Sequence, residues 1–358
     1  MSTTTGPLPA ISTPAATLLA GSGRRLTGRV RLGLVAATVL LSGLLFAVTP
    51  LQGRADFIVF AVLLFAVVQT AASYTLEGRR YAADRLLSLL VHLSLLAALV
   101  PLVSVLGYTL VKGLKRLDGQ FLSHNLTNIG PLDTNGGEFH AIIGTLEQVS
   151  IAIVVTVPLG LLVAVYITEY GQGRLASAIR FVVDVMTGIP SIVAGLFVFA
   201  FLVIGLHRGY SGLAAALSLT ILMLPVVVRS AEEMIKLVPG ELREASYALG
   251  IPKWKTILKV VLPTASAGIT TGVMIAVARV TGETAPLLLT AFVSPSTNVN
   301  PLQGKQTAIP TFIFDQAGQG QDITYDRAWA AALTLIVIVL ALYVGARLLT
   351  RRNALARR

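Results

Sequence analysis

The sequence predicts an all-α integral membrane protein, a bundle of about eight transmembrane helices. Three observations lead there. The 358 residues are 54% hydrophobic and only 13% charged, where a soluble domain carries about a quarter charged residues; the mean hydropathy is +0.78. The apolar residues fall into runs that reach the roughly 20 residues of a spanning helix. The basic residues, which give a formal net charge of +11, collect mainly between those runs. In a soluble protein such a charge would suggest nucleic acid; here membrane topology explains it, and no nucleic-acid partner is expected. The absence of cysteine excludes disulfides and thiolate metal sites.

The chain begins with a stretch rich in Ser, Thr, Pro, Ala and Gly, followed by Arg24, Arg25, Arg29 and Arg31. Residues 1–31 are read as a disordered cytoplasmic tail. The run 32–50 is not followed by a small-residue cleavage site, so it is read as a retained span rather than a signal peptide. With the run 57–76 and the charges up to Arg85 it makes an additional N-terminal hairpin, 32–85. The third span is 86–111. A polar loop, 112–140, follows with Asn, Asp and Gly turn signals. The fourth span is 141–170 and the fifth 181–205, where Gly188 and Pro190 allow a bend. The sixth, 212–228, runs on towards Lys236. The seventh lies within 260–293, a run longer than one crossing requires, in which Pro263, Gly282 and Pro286 permit a bend or break. A second long loop, 294–327, precedes the eighth span, 328–349, and a basic cytoplasmic tail, 351–358. Residues 86–350 form the expected core. Eight spans put both termini on one side, and the basic clusters make that side the cytoplasm.

Between the sixth and seventh spans lies a polar interruption, 239–263. It reads as a short helix. Gly240 is the expected N-cap, Glu241 and Glu244 suit the positive end of the helix dipole, and Gly250 and Pro252 stop it. Leu242, Ala245, Ala248 and Leu249 share one face. From this pattern alone, a structured loop that merely joins two spans is as good a reading as a docking helix. The series Glu244-Ala245-Ser246, Gly250 and Val260-Val261-Leu262-Pro263 resembles the EAA loop of binding-protein-dependent ABC importer permeases. That pattern is Glu-Ala-Ala, three residues, Gly, nine residues, then Ile-x-Leu-Pro. Ser246 stands for the second Ala and Val260 for Ile. The resemblance implies a coupling helix that docks into a separate ATPase subunit through Arg243, Glu244, Ala245, Ser246 and Gly250.

Four charges interrupt apolar runs. Arg279 and Glu283, four residues apart, are expected to share a helix face and pair. Two readings stay open: a structural ion pair, or an anion path in which the forked guanidinium meets an oxyanion. Arg229 reads as a snorkelling anchor or a path residue. Asp184 reads as solvated near the inner interface or lining a cavity.

The segments 187–196, 225–229 and 279–289 are similar to PstA-type phosphate permeases within the same family. That resemblance covers roughly residue 86 to the C-terminus. It implies inorganic phosphate as cargo, associates Arg279 and Glu283 with transport and makes Arg229 a further candidate; Asp184 is counted with these path residues on the reading of its own segment. It also implies three partners: a homologous PstC-type permease, a dimer of PstB-type ATPase subunits that binds ATP and Mg, and an external PstS-type phosphate-binding protein. The expected location is a bacterial inner membrane, with lipid around the bundle. The residues themselves reach only "small anion"; a phosphonate permease and an ion-coupled secondary anion carrier remain alternatives, as does a membrane scaffold. No Gly-x-x-x-x-Gly-Lys-Ser/Thr loop is present, so no ATP site, and no enzyme or cofactor, is expected in this chain. His92, His124, His140 and His207 lack metal-ligand spacing.

Overall fold

A computed structural model describes residues 28–48 and 53–355. Most of the expected N-terminal tail (1–27), the end of the first apolar run (49–50) and the last three residues of the expected basic tail lie outside the described residues. Among the described residues every regular element is a helix. By contact the chain forms two units, residues 1–105 and 106–358.

The first unit comprises α1 (Gly28–Val48), α2 (Arg54–Glu77) and most of α3 (Arg79–Gly113). The last four residues of the expected tail are therefore helical. Phe46 meets the edge of Phe57 at 5.3 Å between ring centroids. Gly78, at φ +93°, turns the chain between α2 and α3. Arg85 pairs with Glu77 across that turn at 2.6 Å.

The second unit contains α4 (Gly119–Ser123) and α5 (Phe139–Val165), which continues into a π-helical turn, Tyr166–Tyr170. Next come α6 (Arg174–Thr187), α7 (Ser191–Val198) with its own π turn Phe199–Gly205, α8 (Gly212–Lys236) and α9 (Gly240–Ala248). Then α10 (Lys253–Thr256) runs through the π turn Ile257–Val261 into α11 (Leu262–Thr281), followed by α12 (Ala285–Thr290), α13 (Ile309–Gly318) and α14 (Asp322–Leu355).

Among the described residues, six helices are long and apolar enough to cross a membrane, and they coincide with the second, third, fourth, sixth, seventh and eighth expected spans. The first expected span appears as the shorter apolar helix Leu32–Ala47. The fifth is not one straight rod: α6 and the helix Ser191–Gly205 lie at 106° to each other. Gly188 caps α6, and Pro190, which has no N–H, starts the next helix by accepting from Val193 N at 2.9 Å.

The second unit is built around α8. Of its apolar window 61% is buried, against at most 39% in any other span. Small residues let its neighbours close in. A Cβ on Gly160 of α5 would lie 2.8 Å from Val227 Cγ1. On α11, a Cβ on Gly268 would lie 2.1 Å from Met234 Sδ, and one on Gly272 1.5 Å from Ser230 Oγ. These contacts fix the antiparallel register of α8 and α11. Arg279 therefore sits level with Met223, near the middle of α8, about six residues or roughly 9 Å deeper than Arg229.

The two expected loops carry helices of their own, α4 and α13. Thr311 caps α13: its Oγ1 accepts from Ala308 N at 3.0 Å and donates to Ala308 O at 2.8 Å. Ile309 and Phe312 pack with Phe121, Ala141, Ala330 and Ala331. Arg327, at the foot of α14, is 1% exposed. Its guanidinium donates to the carbonyls of Asp133 and Asn135, the latter at 2.8 Å, and to Gln316 Oε1 at 3.3 Å.

Candidate functional site

The interruption after α8 folds as the short helix the sequence predicts. Its cap position falls on Pro239 rather than Gly240, which is already helical. Its end is a Schellman motif: Gly250 N donates to Tyr247 O at 2.9 Å and Ile251 N to Ser246 O at 3.2 Å. Gly250 adopts φ +73°, the left-handed conformation that favours glycine. Two of the five expected docking residues turn inward. Ser246 is buried, its Oγ 2.8 Å from Thr256 Oγ1, which ties α9 to α10. Arg243 donates to Glu169 Oε1 at 3.1 and 2.8 Å, to Val238 O at 2.6 Å and to Ile235 O at 3.0 Å. These two position the helix. Glu244, Ala245 and Gly250 are exposed. Leu249 beside them is 80% exposed. The apolar face predicted for α9 is left uncovered by its own chain.

Beside the end of α8 the structure brings two of the four expected path residues together. Arg229 Nη2 bonds Asp184 Oδ1 of α6, and Nη1 pairs with Glu232 Oε2 at 2.9 Å. Arg229 is therefore cross-linked between two helices, not a free snorkelling anchor. Glu232 is the hub. Its side chain is 2% exposed and also takes Lys236 at 2.7 Å and Arg180 at 3.5 Å. Sequence reasoning passed over Glu232 and Arg180. The signal for Glu232 was present: it lies three residues after Arg229 and four before Lys236, on one face of α8. The ion pairs join three cations to two carboxylates, so the cluster keeps a positive excess that suits an anion.

The expected Arg279–Glu283 pair does not form. The α-helical hydrogen bonding of α11 stops at Thr281, Gly282 caps it, and α12 begins at Ala285 with Pro286 second. Glu283 thus leaves the helical register that would have set it above Arg279. Arg279 is exposed and Glu283 half-buried; neither has an ion-pair or hydrogen-bond partner for its side chain among the described residues. No group of His, Asp or Glu able to hold a metal occurs among the described residues.

Comparison with known proteins places these features in a family. The model of the binding-protein-dependent transport system inner membrane component matches residues 156–354, which include α6, α8, α9 and α11. This chain belongs to that family. It is a transport permease of the membrane. The permease is 45% identical over 267 residues to the phosphate transport system permease protein PstA 1 of Mycobacterium tuberculosis, covering 73% of this chain and 87% of that one. It is 42% identical over 219 residues to the phosphate transport system permease protein PstA of Xylella fastidiosa, covering 61% and 76%. A bacterial alginate ABC transporter, crystallised with an alginate-pentasaccharide-bound periplasmic protein, shares the fold of this permease. Its TM-score is 0.53 at 17% identity, over 76% of this chain and 98% of that one. The expected all-α importer-permease bundle is thus borne out.

Proposed function

We propose that this permease is the membrane subunit of an ATP-driven phosphate importer, and that Arg279 lines the phosphate path. One observation carries the reading: an exposed guanidinium level with the middle of α8, a membrane-spanning helix, has no partner among the described residues. A charge at that depth is expensive unless water, a counter-ion or another subunit solvates it. Its forked donors suit a tetrahedral oxyanion. The relatives named as phosphate transport permeases support phosphate as that oxyanion. Arg229, roughly 9 Å nearer the α9 side, is the next cation; Asp184 is the carboxylate that gives way to the anion. Glu283, near Arg279 in sequence but unpaired, keeps the anion from being held permanently.

The basic residues Arg174, Arg180, Lys236, Lys253, Lys255 and Lys259 flank α9 and favour a cytoplasmic position for it, with both termini on that side. There the exposed Glu244, Ala245, Gly250 and Leu249 dock onto an ATPase subunit. The ATPase dimer (PstB-type) binds ATP and Mg; this chain holds no cofactor. A PstC-type permease completes the path, and an external PstS-type protein delivers phosphate. Residues 86–350 form the core, and residues 32–85 an appended hairpin in a bacterial inner membrane.

The test is phosphate uptake by the assembled complex in proteoliposomes. Arg279→Gln should lower uptake at least ~10-fold while the complex still co-purifies. Normal flux through a stable Arg279→Gln complex ends the assignment. Competition by a phosphonate at equal potency would move the cargo to that class.

A further inference from the structure

We propose that the π-helical turn Tyr166–Tyr170 is the joint that carries movement of α9 to the Arg229 cluster, and that Glu169 is its positioning residue. This rests on the reading that α9 docks an ATPase. The turn is gripped from both sides. On the α9 side, the Glu169 carboxylate, 7% exposed, receives two donors from Arg243. Its backbone carbonyl accepts from Lys253 Nζ, and that ammonium lies 4.7 Å over the Tyr170 ring. The residues before and after the Schellman end thus hold the same turn. On the far side, Arg180 of α6 donates to Ile167 O and pairs with Glu232 at 3.5 Å. Glu232 in turn holds Arg229, and Arg229 holds Asp184. An unbroken run of polar contacts leads from α9 through the turn to α6 and α8.

The local geometry suits a joint. A π turn interrupts the i→i−4 ladder, and such turns recur at functional sites. Here two of its carbonyls, Ile167 O and Glu169 O, accept from side chains of other elements. Arg243 keeps its bonds to Val238 O and Ile235 O when the Glu169 charge is removed, so α9 retains its fold. The exposed Leu249 and Glu244 are untouched. Loss of Glu169 therefore uncouples rather than disassembles.

Contiguity alone is not coupling, so the experiment measures coupling directly in the full complex. Glu169→Gln should leave ATPase subunits bound and hydrolysing ATP, while phosphate uptake per ATP falls at least ~10-fold. Arg180→Gln, on the other side of the turn, should do the same. The exchange Glu169→Arg with Arg243→Glu should transport better than either single change. Because the chain has no cysteine, Thr187→Cys, beside Asp184, gives a cargo-independent reading: its labelling rate should change on ATP addition, and Glu169→Gln should abolish that change. Four results overturn the joint: normal uptake per ATP in either glutamine variant, an exchange no better than the singles, a labelling change that is absent in the Thr187→Cys parent or persists in Glu169→Gln, or loss of ATPase subunits from the Glu169→Gln complex. If the parent labels as expected but carries no phosphate, the cargo assignment falls and the joint stands.

Discussion

At the Glu169 end of α5 the charged side chains hold one another, whereas at the Glu138 end two buried ionisable groups, Arg327 and Glu138, form no ion pair among the described residues. Near Glu169, Arg243, Arg180, Glu232, Arg229 and Asp184 form ion pairs between separate elements, and several are a third or more exposed. Near Glu138, Arg327 is spent on carbonyls and a glutamine amide. Glu138 is fully buried, and neither carboxyl oxygen has a hydrogen-bond partner. The nearby Thr334 hydroxyl donates instead to Ala330 O at 3.1 Å. Partly exposed pairs contribute little to stability, whereas a buried ionisable group is costly to disturb. The first end is built to rearrange and the second to stay rigid.

The largest test breaks the rigid end. Arg327→Gln strips the charged donors from the Asp133 and Asn135 carbonyls, and a hydrogen bond to a charged group is worth about 1.5–3 kcal/mol. The thermal midpoint of the complex should drop by an amount equivalent to about 3 kcal/mol. An unchanged midpoint would mean that the loops around α4 do not depend on this arginine.

Glu138 sharpens the contrast through pH. Burial pushes its carboxyl up to about 7, whereas an unfolded glutamate titrates near 4.3. The raised value means that the folded state favours the neutral acid. That stability is whole below about pH 4.3 and is lost as pH rises through about 7. Glu138→Gln, neutral throughout, should match the parent near pH 4.5 and exceed it at pH 8 by on the order of 2–3 kcal/mol. Midpoints measured at both pH values decide it; equal shifts at both would remove the buried charge from the account.

The smallest stability effect belongs to the other end. Asp184→Asn breaks an exposed pair, so it should cost under ~1 kcal/mol. Uptake should nevertheless change, because Arg229 then lacks its exchangeable partner. A variant with unaltered uptake across salt concentrations would make the pair ornamental.

The sequence was legible where single residues dictate backbone geometry. Gly250 and Pro252 announced the end of α9, and Gly188 and Pro190 announced the break after α6, though not its 106° angle. It was illegible where tertiary packing decides. The 294–327 stretch looks like a loop because its turn residues are conspicuous, yet Ile309 and Phe312 find a core and make α13. Spacing suggested an Arg279–Glu283 pair, but Gly282 ended the helical register one residue too early. Gly268 and Gly272 form a small-xxx-small pair that could have named the α8–α11 contact in advance. Arg243 and Ser246 read as docking residues from their place in a motif, while their reach to Glu169 and Thr256 depended on folds far along the chain.

The position of Arg279 has a consequence for biosynthesis. A newly made copy that enters the bilayer alone carries an exposed arginine level with the middle of α8, with no partner among the described residues. Insertion scales set that burden at roughly 2.5–3.5 kcal/mol. A companion subunit that hydrates or pairs the guanidinium removes it. The orphan chain is then the less stable species, and the residue proposed to meet the cargo also ties the survival of the protein to assembly.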